Sequence, residues 1–480
     1  MLDLIIKNSL VVLPGCPQKV NVGIQNGKII YIGEDVLEAE KIIDGSGKIL
    51  IPGGIEAHAH VWEPMHTGWT KGKEEWLADS EGTTRAALFG GTTCVTSFAF
   101  MDVHSKEVIY NVAKAVDSRK EVFKNHSFTH YIFHPVLTGT PSEETIESIK
   151  QAIEEGTTSF KVFTTDVTSK QTGVRIETGS MLSIMKVLAE NKGILMVHAE
   201  DDELVRYMEN RLAKEGRNQA YNLNLVHSSL SEGIAFNKVI QLAKEAGSAT
   251  FFAHVTGRSG IREIKRAQQE GQAVYGEVLH NYLMFCNEDY HKPNGIRFHT
   301  YPAMKDAEDR AALWNGLADG TLTMVSTDEY TTPYETKIQG NTVETACGGL
   351  NGIETRGIVA FSEGYSKGKI SLERFVEIFS TNPAKVLGLY PQKGTIQVGS
   401  DADLVLWDPN IEKTVELKDL HQPSDYSIFV GMDVKGWPVT VLLDGKVVID
   451  KGELLGKPTD GRFIKRKMTS EVLNGYYKER

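Results

Sequence analysis

Six residues of this 480-residue chain could place metal-binding atoms at one point. His58 and His60 stand two apart in "GIEAHAHV", so on a strand both imidazoles leave the same face. Lys161 lies inside the apolar run "SFKVF", His198 near the end of "ILMVHAE", His254 in "TFFAHV", and Asp328 in "LTMVSTDE". Four neutral imidazoles and one carboxylate suit a divalent, zinc-like cation. Taken singly, a strand-end histidine equally suits a hydrogen-bonded core position, and "HAH" is a short pattern. Their shared place at the ends of separate strand candidates is what points to a metal site.

Lys161 needs its own explanation, because a lysine between Phe160 and Val162 is almost never fully buried without compensation. An ammonium cannot ligate metal. Four histidines and one aspartate leave a two-metal site short of a bridging anion, and the carbamate formed from a lysine amine and carbon dioxide is an oxygen-donor anion that could bridge. The other reading is a side chain that snorkels to the rim with its charge in water.

The elements that must position these residues form a regular series. Strand candidates run in the order "GIEAHAHV", "TTCVTSF", "FTHYIFHPV", "SFKVF", "ILMVHAE", "TFFAHV", "AVYGEV" and "LTMVSTDE", with amphipathic stretches such as "ETIESIKQAIEE" between them. Alternating βα units of this kind predict an α/β fold, a closed (β/α)8 TIM-like barrel over residues 53–385, with its active site at the C-terminal strand ends. Residues 1–52 and 386–480 are β-rich, and hairpin turns are expected at Asn26-Gly27 and Asp444-Gly445. They predict one small β-sandwich domain built from both termini, followed by a tail.

Composition narrows the partners. A net charge of −11 disfavours binding to nucleic acid or an anionic membrane surface, so a small-molecule substrate is expected. Cys16, Cys94, Cys286 and Cys347 form no Cys-x-x-Cys pair, which suggests neither a thiolate zinc site nor a disulfide framework. The start "MLDLIIKNSLVV" has no basic segment before its apolar residues, and no apolar run approaches a membrane span of about 20 residues. The expected location is cytoplasmic.

The stretches "PGGIEAHAH", "SFKVF", "VHAED", "AHVTG" and "STDEY", followed by "GTIQVGSDADLVLWDP", resemble the hydantoinase and dihydropyrimidinase branch of the metal-dependent amidohydrolase superfamily. The resemblance implies that His58, His60 and Asp328 hold one metal, that His198 and His254 hold the other, and that carbamylated Lys161 bridges them. Zinc is the default metal. It implies a hydrolase that opens a C–N bond of a cyclic amide, imide or ureide through a hydroxide held between the metals, with Asp328 as base and then acid. A homotetramer or homodimer is implied as well. Hydrolysis of a linear amide, urea or carbamate is the enzymatic alternative. A non-catalytic structural relative is the other, against which the complete ligand set argues.

The substrate positions depart from the family pattern. Asp166 stands where a tyrosine is usual, Tyr301 where a serine is expected, Gly348 where an asparagine is common, and Glu329 replaces a histidine beside Asp328. In "HAHVWEP", Trp62 replaces the arginine that would clamp a substrate carboxylate in dihydroorotases. These changes imply weak activity on simple hydantoin and dihydrouracil. The better substrate would offer a hydrogen-bond donor to Asp166 and an apolar group to Trp62 and Phe163. Met65 and Trp69 are further wall candidates, and His134, Glu277 and His280 are candidates for orienting the metal-binding imidazoles.

Overall fold

The computed structural model describes residues 1–101, 110–167 and 173–475. Its centre is a nine-stranded, wholly parallel sheet with helices between successive strands. The strands run Gly54–His60, Thr92–Phe100, His130–Val136, Ser159–Phe163, Ile194–His198, Ala249–Phe252, Val274–Leu279 and Met324–Ser326, each beside its predecessor. The ninth, Glu329–Tyr330, pairs back onto the first with Glu329 opposite Ala59. Both edges of the sheet are thus one stretch of chain, interrupted only by Thr327 and Asp328. The sheet is curled, of the barrel type the alternating pattern predicts.

Buried charge secures that junction. Glu56 Oε1 accepts from the backbone N–H of His58 (3.0 Å) and of Thr327 (3.1 Å), while Arg356 pairs with Glu56 Oε2 at 3.1 Å. The same guanidinium donates to Val325 O and to Thr92 Oγ1, both at 2.9 Å. One ion pair therefore ties together the first, second and eighth strands, where His58 and Asp328 must meet.

Both termini contribute to one further sheet. Its order runs Pro17–Lys19, Leu10–Val12 and Ile49–Pro52, then Leu404–Thr414, Asp433–Leu443, Lys446–Asp450 and Glu453–Leu454, so the two ends meet where Ile49–Pro52 pairs with Leu404–Thr414. A four-stranded sheet, Lys28–Gly33, Asn21–Gln25, Leu2–Lys7 and Ala39–Asp44, shares a core with it through Leu4, Ile6, Ile24, Leu50, Leu404 and Leu442. Asn26 and Gly27 both have positive φ (51° and 74°), as the expected two-residue hairpin requires. The tail turns back under the central sheet, where Ile464, Met468 and Val472 join Ile55, Phe98 and Tyr275 in one apolar cluster. No described helix is long and apolar enough to cross a membrane.

Candidate active site

The first strand presents His58 and His60 to the space beside the gap at Asp328. His58 Nε2 lies 2.9 Å and His60 Nε2 3.3 Å from Asp328 Oδ1, so three donor atoms converge. The outer nitrogens are committed elsewhere. His58 Nδ1–H donates to Glu277 Oε1 at 2.8 Å, and His60 Nδ1–H donates to Glu63 Oε2 at 2.7 Å. Carboxylates so placed fix each ring with Nε2 turned inward and make it a stronger ligand. His198 is used the other way round: its Nε2–H donates to Glu200 at 3.1 Å, leaving Nδ1 as its free donor atom. Glu200 is held in turn by His227 Nδ1–H at 2.9 Å.

His254 joins the two groups, its ring centroid 4.5 Å from that of His198 and 5.5 Å from that of His58. Its backbone N–H donates to Glu277 Oε1, the oxygen that also takes His58. His254 (φ 37°) and Asp328 (φ 51°) both adopt the left-handed region that non-glycine residues seldom occupy. Such conformations collect at functional sites, where surrounding structure enforces them.

The electrostatics ask for a cation. Burial opposes the charge of Asp328, yet His58 and His60 hold its carboxyl well below the usual range. Burial would likewise discharge His60, but Glu63 and Asp328 outweigh it and hold the imidazole up at about 9. Imidazole nitrogens, three of them on rings whose other nitrogen bonds a carboxylate, and the Asp328 carboxylate form a donor set that fits a divalent metal.

Lys161 is 1% exposed, which rules out a charge kept in water at the rim. Its Nζ sits 5.0 Å from the centroid of Phe163 and 5.6 Å from that of Phe98. Among the described residues no carboxylate lies within ion-pair distance of it, and burial pulls its pKa down to about 8 against the opposing charges of Asp328 and Glu277. A second three-donor group, His130, Asp403 and Asp444, lies at the opposite end of the strands. Lys393 already bonds Asp403 and Asp401 there, so that cluster's charge is met without metal.

A cavity of about 400 Å³ opens above the histidines, and Lys161, Phe163, Trp69, Tyr301 and Gly348 line it. Tyr301 points its hydroxyl away, donating to Val343 O and Ala346 O at 3.1 and 3.2 Å, and offers its ring to the wall, stacked on Trp69. A Cβ at Gly348 would stand 2.1 Å from that ring. The two departures at 301 and 348 are therefore one: the large side chain at 301 requires none at 348.

Trp62 and Asp166 fall outside the lining. Trp62 is 40% exposed with a left-handed φ of 49°, and packs on Trp76. Asp166 Oδ1 accepts from the N–H groups of Gly173, Val174 and Arg175 at 2.9–3.1 Å, and Oδ2 pairs with Arg206 at 2.7 Å. With both oxygens engaged, this carboxylate shapes a loop, and Val167 and Val174 reach the cavity in its place. Glu329 is buried and accepts from the N–H groups of Gly352 and Ile353, each at 2.7 Å. Of the orienting candidates only Glu277 touches a site histidine. His134 donates to Ala57 O, and His280 bonds Thr355. Glu63, Glu200 and His227 were not foreseen, although "HVWEP" and "VHAED" place the two glutamates within three residues of a ligand candidate.

Comparison with known proteins agrees with this geometry. The family model described as "Amidohydrolase family" matches residues 49–448. The chain belongs to the amidohydrolase family. Within that family it falls in the hydantoinase branch. It is 34% identical to a D-hydantoinase of Ralstonia pickettii over 97% of this chain and 99% of the relative. It is 30% identical to an L-hydantoinase of Paenarthrobacter aurescens over 97% and 99%. Among solved structures, a D-hydantoinase superposes with a TM-score of 0.90 at 33% identity, covering 97% of this amidohydrolase and 99% of that chain. A dihydropyrimidinase from Brevibacillus agri gives 0.90 at 30% identity with the same coverage.

Proposed function

We propose that this protein is a binuclear metal hydrolase that opens a C–N bond of a cyclic amide, imide or ureide. The observation that carries the proposal is the meeting of His58, His60 and Asp328 beside His198, His254 and a buried Lys161 that forms no ion pair. His58, His60 and Asp328 would hold one cation and His198 and His254 the other. Lys161 would supply an anionic oxygen ligand to both once its free amine adds to carbon dioxide, forming an N–C bond and releasing a proton. When bound, two divalent ions, with zinc the default, would supply a water acidified toward neutral pH and would polarise the substrate carbonyl.

The chain's own residues do the rest. Asp328 takes the proton of the attacking water as oxygen bonds the carbonyl carbon, then returns it to the ring nitrogen as the C–N bond breaks. Glu277, Glu63 and Glu200 keep the imidazoles oriented throughout. Phe163, Tyr301 and Gly348 form the substrate wall. With no side-chain hydroxyl from residue 166, and with ring faces where serine and asparagine are usual, this wall favours a ring carrying an apolar substituent over bare hydantoin or dihydrouracil. A donor directed at Asp166 is no longer part of the expectation.

The same reading assigns residues 53–385 to a closed (β/α)8 barrel and residues 1–52 and 386–480 to a β-sandwich. It also takes the protein as a cytoplasmic homotetramer or homodimer. Metal-loaded protein assayed on 5-substituted hydantoins, dihydropyrimidines, and linear amides and ureas tests the function. Ring opening to the N-carbamoyl acid is expected. Turnover confined to linear substrates would overturn the cyclic assignment.

A further inference from the structure

The cavity wall departs from the family pattern at Tyr301 and Gly348, which lie on separate segments, and one buried cation touches both. Lys337, at the end of the short helix Tyr334–Lys337, is fully buried. Its Nζ donates to the backbone carbonyls of His299 (2.6 Å), Cys347 (2.8 Å) and Gly349 (2.5 Å). Three acceptors match the three hydrogens of an ammonium, and among the described residues no carboxylate comes within ion-pair distance. A buried charge compensated only by carbonyl dipoles is costly, so its three contacts have to define something.

They define where the wall stands. Peptide units are planar and trans, so a carbonyl drawn to Lys337 turns the following N–H away from it. Cys347 O thereby fixes Gly348 N–H, and Gly349 O fixes the N–H of Leu350. His299 O sets the chain two residues before Tyr301, whose hydroxyl bonds Val343 and Ala346. Glu329 grips the far end of the second segment by the amides of Gly352 and Ile353. The loop that carries Gly348 is thus held by a cation on its carbonyls and an anion on its amides.

We propose that Lys337 is a substrate-positioning residue, its ammonium fixing the two backbone segments that carry Tyr301 and Gly348 and so setting where the substrate ring meets the wall. This rests on the cyclic C–N hydrolysis proposed above. Lys337 touches no metal-ligand candidate, so its removal acts on KM and not on metal content.

The test compares wild type, Lys337→Met and Lys337→Gln, each metal-loaded, by amide hydrogen exchange and by steady-state kinetics on the best cyclic substrate. In Lys337→Met, exchange should quicken in residues 299–302 and 347–353, KM should rise about tenfold, and kcat should stay within about threefold. Lys337→Gln, with two N–H donors, should recover part of both, and it carries the test if the methionine variant does not fold. Unchanged exchange in those segments, or unchanged KM, overturns the inference. So does a uniform fall in stability, kcat and bound metal. A wild type without cyclic activity but with the exchange difference would overturn the proposed function and leave the placement of the wall by Lys337 standing.

Discussion

Two buried lysines at opposite ends of the central sheet meet opposite fates. Lys393, near the start of the third strand, bonds Asp403 and lies 2.9 Å from Asp401. Burial works against its charge, but the two carboxylates outweigh it and raise its pKa. Lys161, at the mouth, is as deeply buried, faces two phenylalanine rings, and falls to about 8. Burial alone does not make a lysine reactive. Burial with neither a carboxylate nor a carbonyl acceptor on the nitrogen does, because it makes the free amine available near neutral pH, whereas the equally buried Lys337 spends its hydrogens on three carbonyls.

That contrast can be broken by removing each lysine. Lys161→Ala should lower kcat/KM by more than about 100-fold, beyond the cost of losing an outer partner of a ligand, and should reduce bound metal. Short carboxylic acids that occupy the bridging position should restore part of the rate. Lys393→Met should instead strip the buried Asp403 of its lysine partner, while Asp401 keeps Lys28, and cost about 3–5 kcal/mol in a denaturant titration, with metal per folded chain unchanged. If the two variants behaved alike, the contrast would be wrong.

Smaller effects sharpen it. Glu277→Gln removes the carboxylate behind His58 and should weaken metal affinity about 10- to 100-fold in a chelator competition. Gly348→Ala should destabilise the protein when Tyr301 is present and much less in a Tyr301→Ser background, with a coupling of about 1–2 kcal/mol in a double-mutant cycle. The smallest effect concerns pH. Only the free amine of Lys161 adds carbon dioxide, so reactivation of metal-stripped protein by metal at a fixed pressure of carbon dioxide should quicken as pH rises and level off above about 8. A lysine at its ordinary value of 10.5 would still be gaining rate well beyond that point.

The candidate metal positions were legible because the chemistry that would select them is local. An alternation such as His58-x-His60 fixes two side chains on one face, and an apolar run around Lys161 announces burial. All eight strand candidates appear in order for the same reason: each is a short apolar run between amphipathic helices. The cavity wall was legible only in part: Phe163, Trp69, Tyr301 and Gly348 line it, whereas Trp62 and Asp166 do not, since that logic is long-range. Asp166 reads as a replaced phenol, yet its oxygens accept from the amides of Gly173, Val174 and Arg175 and pair with Arg206 on the helix Asp202–Lys214. Glu329 looks like a second acid for substrate, but it holds amides more than twenty residues away. Nor does any single position reveal that a tyrosine at 301 demands glycine at 348, which only their contact explains.

The state of Lys161 in active protein tests the central claim most directly. Protein loaded with metal in the presence of ¹³C-labelled carbon dioxide should show one ¹³C carbamate resonance per chain, absent from Lys161→Ala and retained by Lys393→Met. Full activity with no labelled carbamate, and a free ammonium at Lys161, would contradict it.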